Sequence, residues 1–260
     1  MSKFSFQQVD VFTDQPLRGN PLAVVVAAEG LSDTTMALLA NWTNLSETTF
    51  LLKPSRPTAD YRVRIFTPER ELPFAGHPTL GTCRVWLSSG GAPKQSCVVQ
   101  ECAAGLIRIK RDGNRLAFAA PPLRRTGPVE ADLLAKIAQG LRIKPEAIKA
   151  SQWVDNGPGW VAVMLVFGPW TAADGKGADF EVRAFIPSRA SEDPVTGSLN
   201  AGLAQWLIGG GVSPKAYIAS QGTALGRTGR IHVELDGDDI WIGGNTVTVV
   251  NGTIELPDPR

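Results

Sequence analysis

Three titratable side chains could perform acid–base chemistry in this sequence: Glu47, His77 and Asp193. His77 directly follows a glycine at a predicted helix start, where the positive end of the helix dipole favours the neutral imidazole. Asp193 lies in the segment SEDPVTGS, and Glu47 lies in NLSETTF. Each also has a purely structural interpretation, since His77 could cap a helix or lie on the surface, Asp-Pro commonly initiates a turn, and Glu47 could contribute to a cap. Taken one by one, the three residues do not decide a function.

The composition excludes several other chemistries. The 26 basic and 25 acidic residues give a net charge of +1. The sequence contains no run of basic residues of the kind that nucleic-acid binding requires. With two histidines, three cysteines and no Cys-x-x-Cys motif, we expect no metal site and reduced intracellular thiols. The sequence has no phosphate-binding loop, no nucleophile-elbow motif and no long apolar segment. We therefore predict a soluble, cytoplasmic protein that acts without nucleic acid, membrane or metal.

Two glycine-containing turns would position these residues, and each precedes a predicted helix. The segment PFAGHPTLGTCRVWL predicts a helix from about His77, and PVTGSLNAGLAQWL predicts one from about Ser198. The segments before them, VRIFTPER at 63–70 and VRAFIPSR at 182–189, agree at five of eight positions. This agreement indicates an internal duplication with a period of about 120 residues, which is too long for a solenoid repeat. The sequence therefore predicts two homologous halves that meet near residues 124–129.

The paired turns predict a binding site for a small carboxylate. A glycine just before a helix start lets a ligand approach the free N–H groups of the first turn, where the helix dipole favours an anion. Two such turns that face each other would form a cleft lined by Gly76–His77 and Gly197–Ser198. The structural alternative is that both glycines only permit close packing of helix and strand.

Five sequence blocks resemble the signature segments of the phenazine-biosynthesis isomerase family. The blocks are DVFTDQPLRGNPLAVV, NLSETTF, FTPERELPFAGHPTLG, EDPVTGSLNAG and QGTALGRTGRIHV, in the family's order between residues 10 and 233. The resemblance implies an α+β fold of the diaminopimelate epimerase type, with two pseudo-symmetric halves, residues 1–125 and 126–260. Each half would be a curved, mostly antiparallel sheet wrapped around a central helix. The resemblance also implies a homodimer.

The resemblance implies roles for individual residues as well. In the cofactor-independent epimerases and racemases of this fold, a cysteine stands in each turn. The corresponding positions here are Ala75 and Thr196, so a two-cysteine mechanism is not available, and Cys83 is expected to serve packing. The chain is more similar to the phenazine-type family, in which a single carboxylate acts and maps onto Glu47. The supporting residues of that family map onto His77, Asp193 and the pair Gly197–Ser198.

The leading hypothesis is an isomerase of a small carboxylate-bearing molecule that needs no cofactor. Glu47 would remove a proton from an activated carbon and return it elsewhere, while His77 and Asp193 would hydrogen-bond the substrate. The backbone donors for a carboxylate or oxyanion would come from Gly76, Gly197 and Ser198. One alternative is an epimerase or racemase of a small amino or hydroxy acid that uses Glu47 with His77. Another is a non-catalytic small-acid binder or structural dimer.

Overall fold

The computed structural model describes residues 1–165, 177–187 and 190–257. Ser188 and Arg189, which end the second copy of the repeated segment, lie outside the described residues. The helices of the described part are α1 (Asp33–Thr43), α2 (Gly76–Ser88), α3 (Ala131–Leu141) and α4 (Gly197–Gly209), with short 3₁₀ turns at Pro145–Ala147 and Thr223–Leu225. None of these helices has the length and apolar composition that crossing a membrane requires.

Seventeen strands accompany these helices in the described part of the chain. They are β1 (Ser2–Val11), β2 (Asn20–Val26), β3 (Glu47–Leu52), β4 (Tyr61–Phe66), β5 (Glu71–Leu72), β6 (Val98–Cys102), β7 (Gly105–Asp112), β8 (Arg115–Ala119), β9 (Arg125–Gly127), β10 (Ala150–Asp155), β11 (Val161–Met164), β12 (Phe180–Val182), β13 (Ala184–Ile186), β14 (Ser191–Asp193), β15 (Ala216–Gln221), β16 (Gly229–Asp236) and β17 (Asp239–Leu256). The fold is therefore α+β, as the sequence predicts.

Eight strands close into a ring around α2. They follow one another in the order β1, β2, β3, β4, β6, β7, β8 and β17, and β17 pairs with β1 to complete the ring. The inner wall is apolar because alternate strand residues such as Val9, Val11 and Leu22 point inward. A Cβ placed on Gly81 would lie 2.5–3.0 Å from these three side chains, so a glycine lets α2 lie directly against the wall.

The helix α4 lies outside the ring, beside the strands that follow β8 in the chain. It packs against β10, β16 and β17. On the far side of β17 the large sheet continues through β16, β15 and β12, while β9, β10 and β11 form a separate sheet of three strands. The described pairings are antiparallel except for β2–β3, β4–β6 and β12–β15. The helices predicted from about His77 and Ser198 are both present, and each begins one residue earlier, at a glycine.

The end of the chain differs from a simple succession of short strands. Thr246 to Val250 belongs to the same 18-residue strand as Ile240 to Gly243, because Gly244 and Asn245 stay extended and pair with β8. This strand, β17, pairs with β16 and β8 near its start and with β1 along residues 246–256. It therefore joins the ring around α2 to the sheet beside α4.

Candidate active site

The first turns of α2 and α4 meet in the interior of the protein. A Cβ placed on Gly76 would lie 2.5 Å from the carbonyl carbon of Gly197, and a Cβ on Gly197 would lie 2.9 Å from the Cα of Gly76. Both distances are shorter than two non-bonded carbon atoms can adopt, so the two helix starts can touch only because neither glycine has a side chain. The ring of Phe12 packs against the same contact, since its Cζ atom would lie 3.0 Å from that Cβ on Gly197.

Neither helix start is capped by its own side chains. The N-cap residues are Ala75 and Thr196, and neither places a side-chain oxygen on the first-turn N–H groups. No acidic residue lies in the first turn of either helix. The positive ends of two helix dipoles therefore converge with no acidic residue in either first turn, an arrangement that favours an anion.

Glu47 and His77 face each other beside this junction. Glu47 begins β3, which runs parallel to β2 with Glu47 opposite Leu22, and His77 is the second residue of α2. The Nε2 atom of His77 lies 3.3 Å from Oε2 of Glu47. The side chain of His77 is 3% exposed and that of Glu47 is 14% exposed. Because Glu47 keeps this limited access, its carboxyl group can reach a bound molecule while His77 supports it from behind.

Burial keeps the imidazole of His77 neutral. Removal from water lowers the pKa of His77 to about 3, because the charged form loses its hydration. The neutral state agrees with the sequence prediction, although burial is the cause rather than the helix dipole alone. At neutral pH the contact with Glu47 is therefore a contact between a carboxyl group and an uncharged ring, and not an ion pair.

Beside the same junction, three side chains of the described part of the chain donate hydrogen bonds to the Asp193 carboxyl group. Its Oδ1 accepts from Asn20 Nδ2 at 2.9 Å and from the Ser46 hydroxyl at 3.2 Å, and its Oδ2 accepts from the Thr196 hydroxyl at 2.6 Å. The same Asn20 nitrogen lies 3.2 Å from Nδ1 of His77. The structure thus brings Glu47, His77 and Asp193 together at the paired helix starts, with Asn20 between the histidine and the aspartate.

Sequence reasoning does not select three residues that organise this site. Asn20 lies in the quoted block DVFTDQPLRGNPLAVV, and Ser46 lies in NLSETTF, but Asn-Pro and a single serine are ordinary turn signals. Gln221 fixes the segment before α4, since its Oε1 accepts from the Thr196 N–H at 3.0 Å and its Nε2 donates to the Asp193 carbonyl at 3.1 Å. A buried amide leaves no spacing pattern in a sequence, so only the fold identifies it.

The loop that follows β10 contacts the start of α4. Asn156 Nδ2 donates to the carbonyl oxygen of Ser198 at 2.8 Å, and Trp160 Nε1 donates to the Ser198 hydroxyl at 2.9 Å. The side chain of Asp155 closes the loop by accepting from the N–H of Gly157 at 2.7 Å. The segment WVDNGPGW therefore fixes the position of Ser198 from outside the helix.

Cys83 takes no part in the site. It lies in α2 and is fully buried, and burial raises the pKa of its thiol to about 12. A thiol in that environment stays protonated and acts as a small apolar side chain, as the sequence predicts.

The buried neutral His77 makes stability depend on pH. The unfolded chain binds a proton at this residue below about pH 6.5, whereas the folded chain does not, so acidification favours unfolding. We expect the free energy of unfolding to fall by up to about 1.4 kcal/mol per pH unit between pH 6.5 and pH 5 from this residue. Urea unfolding at a series of pH values measures this slope.

Two variants separate His77 from the other histidine. Burial and Arg115 also lower the pKa of His232, so His232→Gln serves as the matched control and is expected to remove a smaller part of the slope. His77→Asn is expected to flatten the curve in this range. An unchanged slope in His77→Asn would show that the imidazole is not buried in the neutral form.

Comparison with known proteins identifies the family. A family model described as phenazine biosynthesis-like protein matches residues 9–168 and 164–252, which together span most of the chain. The chain belongs to the phenazine biosynthesis-like protein family. The matched region includes both helix starts and all three titratable residues of the junction.

Similar proteins of known name support this membership. The antisense-enhancing sequence 1 protein of Schizosaccharomyces pombe is 33% identical, with 97% of this chain and 99% of that protein covered. The trans-2,3-dihydro-3-hydroxyanthranilate isomerase of Pseudomonas chlororaphis is 31% identical, with 95% of this chain and 98% of that protein covered. The solved structure of a predicted epimerase from Pseudomonas aeruginosa superposes with a TM-score of 0.77 at 24% identity and covers 96% of this chain and 99% of its own. The chain is an isomerase of this family.

Proposed function

We propose that this protein moves a proton within a small carboxylate-bearing substrate, without a cofactor, and that Glu47 is the single general acid and base. The observation that carries the proposal is the position of Glu47. Its partly exposed carboxyl group lies 3.3 Å from the neutral His77 ring at the junction of two uncapped helix starts. A proton acceptor beside an anion site is what the reaction needs, because the bound carboxylate holds the neighbouring carbon in reach.

The proton would travel through one carboxyl group. The Glu47 carboxylate removes a proton from a carbon next to an enamine or carbonyl group, and the electron pair of the broken C–H bond enters the conjugated system. The same carboxyl group then returns the proton to another carbon on the same face of the substrate, so no proton or electron is gained or lost overall. General acid–base catalysis of this kind contributes about 10²–10⁴-fold to the rate.

The other site residues would bind and orient the substrate. Asp193 would hydrogen-bond its polar groups and help to set its protonation state, while the buried His77 would orient the Glu47 carboxyl group beside it. The first-turn N–H groups would hold its carboxylate or a developing oxyanion, because the positive ends of two helix dipoles meet there. These backbone donors belong to Gly76, Gly197 and Ser198.

The relative from Pseudomonas chlororaphis suggests the class of substrate. Its name describes an isomerase of a dihydroanthranilate, which is a cyclic molecule with a carboxylate. We propose a substrate of this general class and leave its ring substituents open. The proposal also includes two pseudo-symmetric halves, a homodimer and a cytoplasmic location. The equal 13-residue lengths of α2 and α4, both of which begin at glycine, support the relation between the halves.

The contact between Glu47 and His77 favours isomerisation over epimerisation. A two-base epimerase needs its acid and its base on opposite faces of the stereocentre. Here the two groups lie 3.3 Å apart, and a nearly fully buried ring stands behind the carboxyl group. A single acid–base on one face of the substrate fits this arrangement better than a pair that reaches two faces.

Deuterium exchange tests the proposal without knowledge of the natural substrate. The wild-type protein is incubated in D₂O with a panel of cyclic unsaturated carboxylates and small amino or hydroxy acids, and each is followed by NMR. We expect deuterium to enter a carbon of a cyclic unsaturated acid together with migration of a double bond. Exchange only at a stereocentre would favour the epimerase, and tight binding of the panel without any exchange would favour the non-catalytic binder.

A further inference from the structure

Asn20 occupies a buried position between the two halves of the site. It is the first residue of β2, and its side chain is 0% exposed. Its Nδ2 atom lies 2.8 Å from the carbonyl oxygen of Val195, 2.9 Å from Oδ1 of Asp193 and 3.2 Å from Nδ1 of His77. One amide nitrogen thus faces three atoms, one of which belongs to the histidine that supports Glu47.

The surroundings determine which way the Asn20 amide points. The carbonyl oxygen of Val195 can only accept a hydrogen bond, so the NH₂ group and not the oxygen must face it. The carboxylate of Asp193 accepts from Ser46 and Thr196, which makes it an acceptor on this side as well. Rotating the amide by 180° would place its oxygen against both acceptors. The NH₂ orientation is therefore the one that the site allows.

The orientation of Asn20 in turn determines where His77 carries its proton. The NH₂ group has two hydrogens for three neighbouring acceptors, and His77 Nδ1 makes the longest of the three contacts; because the group has no acceptor of its own, a proton on Nδ1 would point at another donor. Nδ1 must accept. The neutral ring then carries its single proton on Nε2, the atom that lies 3.3 Å from Oε2 of Glu47.

We propose that Asn20 is a positioning residue that fixes His77 in the Nε2–H tautomer, so that the ring N–H faces Oε2 of Glu47 and Oε1 carries the proton exchanged with the substrate. This inference rests on the proposed function of Glu47, which it refines to the level of one oxygen atom. In the other tautomer, Nε2 would carry no hydrogen and would accept from a protonated Glu47. The proton that Glu47 must deliver to the substrate would then point at His77. The tautomer therefore decides whether the proton of Glu47 points toward the substrate or toward the protein.

Nitrogen NMR of the wild-type protein tests the tautomer directly. Long-range ¹H–¹⁵N correlation separates protonated from bare ring nitrogens, and the chain has only two histidines. His232 is an internal reference, because its Nδ1 lies 2.9 Å from a guanidinium nitrogen of Arg115, which can only donate. We expect both rings to show a bare Nδ1 and a protonated Nε2 at neutral pH, and His232→Gln assigns the remaining signals to His77. A protonated Nδ1 on His77 would overturn the inference without any variant.

A truncation variant tests the part played by Asn20. Asn20→Ala removes the NH₂ group, so Nδ1 of His77 is no longer held as an acceptor, and the ring is expected to carry its proton on Nδ1 in a measurable fraction of the molecules. We expect kcat to fall by about 10–100-fold while KM stays within about threefold, since substrate binding keeps its donors. Asn251→Ala, at an exposed position of β17, is the matched control and should leave both the spectrum and kcat unchanged.

The outcomes distinguish this inference from the proposed function. An unchanged His77 tautomer in folded Asn20→Ala contradicts the inference, even if kcat falls, because a purely structural role for Asn20 predicts that result. Absence of deuterium exchange in the wild-type protein contradicts the function of Glu47 but leaves the tautomer measurement valid. If Asn20→Ala does not fold, the wild-type spectrum still decides the tautomer.

Discussion

Replacing Glu47 by Gln is expected to lower kcat/KM by about 10²–10⁴-fold, a loss of about 3–5 kcal/mol of transition-state stabilisation. Gln has nearly the same shape as Glu, and its oxygen can still accept from the Nε2–H of His77. It cannot take up and return a proton, so substrate binding should survive while turnover is lost. Deuterium incorporation and isomerisation rates on the substrate found in the D₂O panel measure the effect.

The matched control for this variant is Glu146→Gln. Glu146 is exposed in the 3₁₀ turn Pro145–Ala147, far in sequence from the site residues, and the substitution removes the same charge. We expect Glu146→Gln to keep the wild-type rate. Near-full activity of Glu47→Gln would contradict the assignment, and an unchanged urea midpoint would show that a loss of activity is not a loss of folding.

The second large effect is expected from Gly76→Ala. The new Cβ would lie 2.5–2.6 Å from the backbone of Gly197 and Ser198, and backbone atoms cannot rotate away as a side chain could. The helix starts must therefore move apart, which costs about 1–3 kcal/mol of stability. Because a shift of about 1 Å in a reacting group costs about 10²-fold in rate, we also expect kcat/KM to fall by about that factor.

Gly140→Ala is a control that is expected to raise the free energy of unfolding rather than lower it. Gly140 lies in α3, is exposed, and has no atom within 4 Å of the Cβ it would gain. Alanine favours the helix over glycine by about 1 kcal/mol, so this variant should be more stable than the wild type. Urea unfolding of the two variants gives the comparison. If Gly76→Ala were as stable as Gly140→Ala, the two helix starts would not be in backbone contact.

Much of the site could be predicted because its parts leave local signals. A glycine before a run of apolar residues marks the starts of α2 and α4, and the repeated segment VRxFxPxR relates the two helices to each other. The quoted blocks single out Glu47, His77 and Asp193 among 25 acidic residues and two histidines. That these three residues lie close together is visible only in the structure, where the backbones of Gly76 and Gly197 are in contact.

The connections between these parts could not be predicted from local patterns. Asn20 is 57 residues from His77 and 173 residues from Asp193 along the chain, so no motif includes all three. The break between β12 and β13 could not be predicted either, because the segment alternates between apolar and polar residues like one strand. In the structure, Val182 pairs with Gln221, whereas Ala184 pairs with Asp193 in a different sheet. Long-range pairing overrides local periodicity in such cases.

The pairing of β1 with β17 has a consequence for synthesis of the protein. Ser2 lies opposite Leu256 and Val11 lies opposite Thr246, so β1 leaves the ribosome long before its partner strand β17. Until then one edge of β1 has no neighbour, and the wall around α2 stays open where an unpaired edge invites association with other chains. Closure depends on contacts between residues at opposite ends of the chain, which makes it a slow step. The wall around α2 is therefore completed only after β17 has been synthesised.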